Sequence, residues 1–238
     1  MSKEIDEVRQ FWDDFAEEYT TIQTESQLPI QKDVVEFLQA QSLLPQASFL
    51  DLAGGSGKYV PYIISHVQNY VLLDISSEML RIAANNHHYP NLSFLESSQE
   101  AFLTQTKDNA FDMIFTAMNP ALTSANQLTN MRRIAKKYVC ILRLVEEKDP
   151  LFSPVEEKLY GKPCEFEWMN TYKRWLDPSF HTKSFDYTIS ETISREFFRL
   201  YFTDELPTDQ LEEIMQQFFQ GKKKIKNTTH YTFELVYC

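Results

Sequence analysis

The sequence predicts an α/β domain in which a mostly parallel sheet is covered by helices on both faces. Three observations carry this. From Phe49 onward, short apolar runs are interleaved with helices, the pattern of parallel strands buried on both sides. The first run, Phe49–Ala53, ends in Gly54-Gly55-Ser56-Gly57, a turn holding three of the chain's five glycines. Glycine serves where the backbone needs positive φ or must let another molecule approach closely. The next run ends on Asp74, and 74 − 51 = 23 positions separate that acid from Asp51.

Taken in order, residues 1–48 form a helical N-terminal cap. Between Glu4 and Thr20, the residues Ile5, Val8, Trp12, Phe15 and Tyr19 recur three or four apart, with Asp13, Asp14, Glu17 and Glu18 off that stripe. This is an amphipathic helix. It either packs on the core or caps a ligand cleft with Trp12 and Tyr19 facing in. A second helix starts near Pro29, a good first-turn residue, and stops before Leu44-Pro45. Residues 49–145 form the sheet core. After the glycine turn come a helix over Lys58–Val67 and a strand over Tyr70–Asp74. A helix follows that is capped by Ser76, carries Glu78 in its positive first turn and ends near Asn85-Asn86. Strands at Leu92–Leu95 and Phe111–Thr116, a helix over Asn126–Ala135 and a strand over Tyr138–Leu144 complete the core.

Residues 146–238 break the rhythm. Pro150, Pro154, Pro163 and Pro178 punctuate helical pieces at Val155–Tyr160 and Phe166–Trp175. Extended structure is expected at Phe185–Ile189 and Phe197–Phe202. A helix over Thr208–Gln220 is capped by Thr208 and closed by Gly221. The last strand, Thr228–Tyr237, puts Tyr231, Phe233, Leu235 and Tyr237 on one face. No linker or repeat divides the chain, so one domain with an insertion, or lid, after the fifth strand is expected.

Composition narrows the function. A net charge of −11 disfavours a broad nucleic-acid surface, which shows a basic footprint. Lys222, Lys223, Lys224 and Lys226 follow a helix end and are accounted for by its dipole and by solvation. Cys140, Cys164 and Cys238 are odd in number, far apart and in no ligand spacing. Together with the isolated His87-His88 pair, they give no metal site and suggest reduced, cytoplasmic thiols. No apolar run reaches the roughly 18 residues a membrane span needs.

Ligands of open α/β sheets bind beyond the carboxyl ends of the strands, where the glycine turn and Asp74 both lie. A carboxylate there can accept two hydrogen bonds from a ribose diol. The dinucleotide pattern GxGxxG fails at Val60, which disfavours an oxidoreductase. The triphosphate loop GxxxxGK[ST] fails at Leu52 and Tyr59. Asp51-Leu52-Ala53-Gly54-Gly55-Ser56-Gly57 resembles the DxGxGxG motif of class I S-adenosylmethionine-dependent methyltransferases. Leu73-Asp74-Ile75-Ser76-Ser77-Glu78-Met79-Leu80 is similar to their second motif. Phe11-Trp12-Asp13-Asp14-Phe15-Ala16-Glu17-Glu18-Tyr19 is similar to an opening many carry, and Phe111-Asp112-Met113-Ile114-Phe115 to their fourth strand. The later part, including Leu159-Tyr160-Gly161-Lys162-Pro163, more loosely resembles a bacterial subgroup of unassigned substrate.

The resemblance implies a Rossmann-like class I methyltransferase fold, whose mostly parallel sheet ends in an antiparallel last strand, and S-adenosylmethionine as cofactor, with S-adenosylhomocysteine as product. It also implies roles. Asp51 orients the turn or reaches the methionine ammonium, and Ala53, Gly54, Gly55 and Gly57 pass under the methionine portion. Asp74 holds the ribose and Ile75 packs on adenine. Ser98 stands where the family usually offers an acid to adenine, with Gln99 beside it, and Met118 lies near the methyl donor. Tyr19, Asn119, Tyr172 and Trp175 are candidates to line the acceptor pocket. Asn119-Pro120-Ala121-Leu122 lacks the second proline and the aromatic of the [ND]PPY motif of amino-group methyltransferases. No catalytic residue stands out, since a general base is optional for this chemistry. The expected acceptor is a small molecule rather than nucleic acid, and no membrane partner is implied. A cofactor-binding regulatory protein without turnover is the alternative; a protein or nucleic-acid methyltransferase is a further one.

Overall fold

The protein is described here from a computed structural model, at residues 3–25 and 27–238. The helices are α1 (Lys3–Glu25), α2 (Ile30–Ala40), α3 (Val60–Ile63), α4 (Ser77–Asn86), α5 (Gln99–Gln105), α6 (Ala125–Ile134), α7 (Ser153–Tyr160), α8 (Trp168–Leu176), α9 (Arg195–Phe202) and α10 (Thr208–Phe219). The strands are β1 (Gln46–Leu52), β2 (Val67–Asp74), β3 (Leu92–Glu96), β4 (Phe111–Ala117), β5 (Ala135–Lys148), β6 (His181–Ser194) and β7 (Lys224–Tyr237). Among the described residues they form one seven-stranded sheet in the order β3-β2-β1-β4-β5-β7-β6.

The register places the functional ends together. β1 is central and parallel to β2 and β4, with Leu52 opposite Leu73 and Asp51 opposite Phe115. β2 continues in parallel to β3, where Asp74 faces Glu96. The carboxyl ends of β1 to β4 therefore share one edge, and the order reverses between β1 and β4. β7 runs against its neighbours. Val139 and Cys238 exchange both backbone hydrogen bonds, at 2.9 and 3.1 Å. Ser190 meets Thr228, Thr188 meets His230 and Thr232 meets Asp186 as their numbers run in opposite directions.

Contacts group the chain into two compact units. One holds residues up to Arg143 with Met169–Phe185 and Glu234–Cys238; the other holds Leu144–Trp168 and Asp186–Phe233. The expected insertion therefore returns residues 169–185 and 234–238 to the unit that carries β1 to β4. That unit's interior is aromatic at its centre. Phe49 lies 4.8 Å from Tyr70 and 6.1 Å from Phe115, and Tyr59 lies 4.8 Å from Phe115, ring centre to ring centre. The second unit has its own core of Leu151, Val155, Ile193, Phe198, Phe202, Leu211, Met215 and Phe219.

Several boundaries differ from the sequence expectation for physical reasons. The helix expected over Lys58–Val67 shrinks to α3 and a 3₁₀ turn at Ile64–His66, because Val67 already pairs with Gln46 of β1. α5 is absent from the sequence expectation; it is short, and its signal is Ser98, whose hydroxyl accepts the Ala101 N–H. Phe197–Phe202 is helical rather than extended. Ser194 caps it by accepting the Phe197 N–H, and Phe198 and Phe202, one turn apart, are its buried side. Pro29 and Pro207 occupy the N-cap positions of α2 and α10, so Thr208 is the first helical residue and not the cap. β5, β6 and β7 each run 14 residues and absorb polar positions that alternation alone does not assign to strands.

Candidate functional site

The glycine turn is built from its backbone upward. Gly54 N–H donates to the Leu73 carbonyl at 3.0 Å, tying the turn to the end of β2, and Gly57 N–H donates to the Gly54 carbonyl at 3.1 Å. Ala53 takes φ +56°, Gly55 +56° and Gly57 +81°. The left-handed region is natural for the two glycines but strained for Ala53. Gly54 is needed for a different reason. A methyl group there would stand 2.7 Å from Asp51 Cγ, 2.8 Å from its Oδ2 and 3.0 Å from Leu72 Cγ. His87, from the end of α4, packs on Gly57 and bonds the backbone of Ser56 and Gly57 through its imidazole.

Two buried acids flank the turn. Asp51 is 2 % exposed and accepts a 2.7 Å hydrogen bond from the Tyr70 hydroxyl. Burial raises its pKa from 3.8 to about 7, the Tyr70 bond opposes this, and the charge of Asp74 adds to it. Asp74 clasps both loops. Its Oδ2 accepts the Gly55 N–H at 2.8 Å and its Oδ1 accepts the Ser76 N–H at 2.9 Å. Burial still holds the Asp74 carboxyl above its ordinary range, against hydrogen bonds from Ser76, Gly55 and Ile75, and the Asp13 charge pushes the same way. The edge is therefore electronegative, which suits a cationic ligand. Ile75 is half-exposed beside Asp74.

α1 reaches this edge by an acid outside its apolar stripe. Asp13 Oδ1 accepts the Ser76 hydroxyl at 2.7 Å and the Glu78 N–H at 3.1 Å. With Ser76 accepting the Met79 N–H, two residues cap α4. Trp12, Ala16 and Tyr19 pack against Met79 and Ile82, so the stripe is in part a packing face, while Val8 is 44 % exposed. Tyr19 is half-buried, and burial first, then the Asp74 charge, raises its pKa against a bond from Gln23.

The remaining expected residues separate into those that face the edge and those committed within the protein. Met118 follows β4, is 39 % exposed and holds φ +54°. Ser98 lies at the end of β3, its hydroxyl engaged as the α5 cap. Gln99 is buried; its amide accepts from Asn119 Nδ2 at 2.6 Å and donates to the Ala121 carbonyl at 3.2 Å. Asn119 also donates to Thr116 Oγ1 and accepts the Ala121 N–H, while buried Arg143 donates to its carbonyl at 2.7 Å. Tyr172 is fully buried and donates to the Leu122 carbonyl at 2.8 Å. Gln99, Asn119 and Tyr172 thus fix the loop after β4 rather than present polar groups outward. Trp175 is half-buried with its ring 5.9 Å from that of Tyr172.

Asp13, Tyr70 and His87 are the residues that motif reading missed. Asp13 lies within a quoted motif but off the stripe, Tyr70 reads as an ordinary strand aromatic, and His87 reads as a loop residue. Among the described residues no group of three or more His, Cys, Asp or Glu is placed to hold a metal ion. No helix among them is long and apolar enough to cross a membrane.

Residues 49–138 match a family model described as a methyltransferase domain. No curated protein sequence matches the chain at a significant level. Among solved structures, a candidate type II methyltransferase from Anaeromyxobacter dehalogenans superposes with a TM-score of 0.55 at 15 % identity, over 87 % of this chain and 94 % of that one. A candidate methyltransferase from Bacillus halodurans gives 0.51 at 13 % identity over 85 % and 97 %. A SAM-dependent methyltransferase from Aquifex aeolicus gives 0.50 at 22 % identity over 69 % and 89 %. These likenesses establish the fold as that of class I methyltransferases, and the family model places a methyltransferase domain over residues 49–138, the segment that contains the glycine turn and Asp74.

Proposed function

We propose that the protein transfers a methyl group from S-adenosylmethionine to a small-molecule acceptor. The observation that carries the reading is the clasp of Asp74 on Gly55, which brings the glycine turn of β1 and the acid of β2 to one place at the strand ends. Asp74 accepts backbone N–H groups from Gly55, Ser76 and Ile75, and its two oxygens, with about four lone-pair sites between them, keep one for a ribose hydroxyl. The negative edge formed by Asp51, Asp74 and Asp13 suits a ligand with an ammonium and a sulfonium. On these grounds the residues fit the cofactor. Asp74 would hold the ribose, Ile75 would lie on the adenine, and Ala53 to Gly57 would pass under the methionine portion, with Asp51 beneath. Met118 would lie near the donor.

When bound, the cofactor supplies a methyl group already activated by positively charged sulfur. The task left to the protein is to hold acceptor and donor in line and to keep water out, and orientation of this kind is worth up to about 7–11 kcal/mol in favourable cases. The fixed loop of Asn119 and Gln99 supports rigid positioning at the end of β4. A net charge of −11 favours small acceptors over nucleic acid.

Calorimetric titration with S-adenosylhomocysteine tests the cofactor, and methyl-transfer assays over a metabolite panel test turnover. Saturable one-site binding weakened by Asp74→Ala supports the reading; absence of binding by the wild-type protein refutes it. Binding without turnover across the panel favours a regulatory protein.

A further inference from the structure

The outer side of α9 is as apolar as its inner side. Phe198 and Phe202 belong to the core of the second unit, while Phe197, Leu200 and Tyr201 are each more than half exposed, Leu200 at 68 %. Tyr160, at the end of α7, is also more than half exposed. The Tyr201 hydroxyl donates to Glu156 Oε1 at 2.7 Å and the Tyr160 hydroxyl bonds Glu205, so α7 is tied to α9 and to the loop that follows it. The partly buried Phe152 ring joins these residues to the core, 5.1 Å from the Tyr201 ring and 6.3 Å from that of Phe197. A surface helix ordinarily carries one apolar stripe, and a helix apolar on opposite sides is one that is covered on both. A contiguous exposed patch of this kind marks an interaction site.

Charge decides what covers it. Five acids, Glu156, Glu157, Glu196, Asp204 and Glu205, lie on α7 and α9 or just after α9. The two arginines of α9 do not offset them, because Arg195 and Arg199 both pair with Glu212 of α10. Lys158 is two positions from both Glu156 and Tyr160 and so lies off their side of α7, which leaves Lys162 beyond Gly161. An acidic rim repels an anionic lipid surface or a nucleic acid. A two-fold pairing of the patch with itself would set like charges together. A second copy could instead bring its basic run, Lys222-Lys223-Lys224 and Lys226, but the residue these bracket, Ile225, packs inward on the unit's own core. We propose that the outer side of α9, with Tyr160 of α7, docks a polypeptide segment of another protein in which apolar residues are bracketed by Lys or Arg. This surface goes beyond the methyl-transfer reading and does not depend on it.

The test uses the full chain and two synthetic amphipathic peptides in fluorescence anisotropy. The peptides share one leucine stripe and carry either lysines or glutamates beside it. The lysine peptide should bind saturably, and the glutamate peptide about tenfold more weakly or worse. Leu200→Gln should weaken the lysine peptide about tenfold or more, the scale of one leucine returned to water. Phe197→Gln serves as a second variant should Leu200→Gln fail to fold. Glu205→Gln, which still offers Tyr160 an oxygen, should cost about threefold at low salt and nothing measurable near 1 M salt. Equal binding of the two peptides, no binding of either, or binding unmoved by both Leu200→Gln and Phe197→Gln overturns the proposal. Sedimentation that shows self-association abolished by Leu200→Gln gives the face to a second copy. Flotation with phosphatidylcholine vesicles that the same variant abolishes gives it to lipid, and either of these results also overturns the proposal.

Discussion

Replacing Asp51 by asparagine should change how the protein's stability depends on pH. Asp51 is buried under Gly54, and its pKa rises from 3.8 to about 7. The folded protein therefore keeps a proton that the unfolded chain releases. The stabilisation is fully present below about pH 4, declines as pH rises, and is gone above about 7. Between pH 5 and pH 7 the wild-type protein should lose about 3 kcal/mol from this group, two pH intervals at about 1.4 kcal/mol each. The asparagine amide resembles the protonated acid in charge and shape and still offers an oxygen to the Tyr70 hydroxyl. Asp74 is present in both proteins, so its own titration largely cancels in the comparison. Urea melts at pH 5 and pH 8 should show the Asp51→Asn variant gaining about 3 kcal/mol on the wild type, or roughly 6–12 °C in Tm for a chain of this size. A gap that stays constant between the two pH values, or that narrows at pH 8, would show that Asp51 ionises at an ordinary pKa and that the burial argument is mistaken.

Ala53→Gly should raise stability by about 0.5–1 kcal/mol, since relief of left-handed strain exceeds the extra entropy of glycine in the unfolded chain; thermal melts check it. Gly54→Ala should do the opposite. Its methyl would meet Asp51 and Leu72 at 3.0 Å or less, so about 1–3 kcal/mol of overpacking is expected, and unchanged melts would contradict the geometry. Asp13→Ala removes two hydrogen bonds to the start of α4. A loss of about 1–2 kcal/mol is expected, with faster hydrogen exchange confined to α1 and the first turn of α4.

What the sequence discloses depends on whether chemistry or packing chose the residue. The alternation of strands and helices, the glycine turn and the acid at the end of β2 are legible because burial on both faces and backbone φ allow few alternatives. The α9 helix is not, because Phe197, Phe198, Tyr201 and Phe202 favour strands by themselves and only Ser194 and the core of the second unit make them helical. Gln99, Asn119 and Tyr172 stand out in the sequence as polar or aromatic residues near the strand ends. Their partners, the Ala121 and Leu122 carbonyls and Thr116, lie up to 50 positions away and turn them inward. Asp13 escapes for a related reason, as a helix surface acid gives no sign in sequence of the helix end it caps 63 residues later.

The grip of one carboxylate on two loops has a consequence for the speed of ligand capture. Fixing a residue's backbone costs about 1–2 kcal/mol of entropy. Asp74 already joins Gly55 to Ser76 in the folded chain, so that ordering is completed during folding and need not be repeated at each encounter. Association should then proceed in a single kinetic phase that rises linearly with ligand concentration, without the plateau that a slow loop closure would impose.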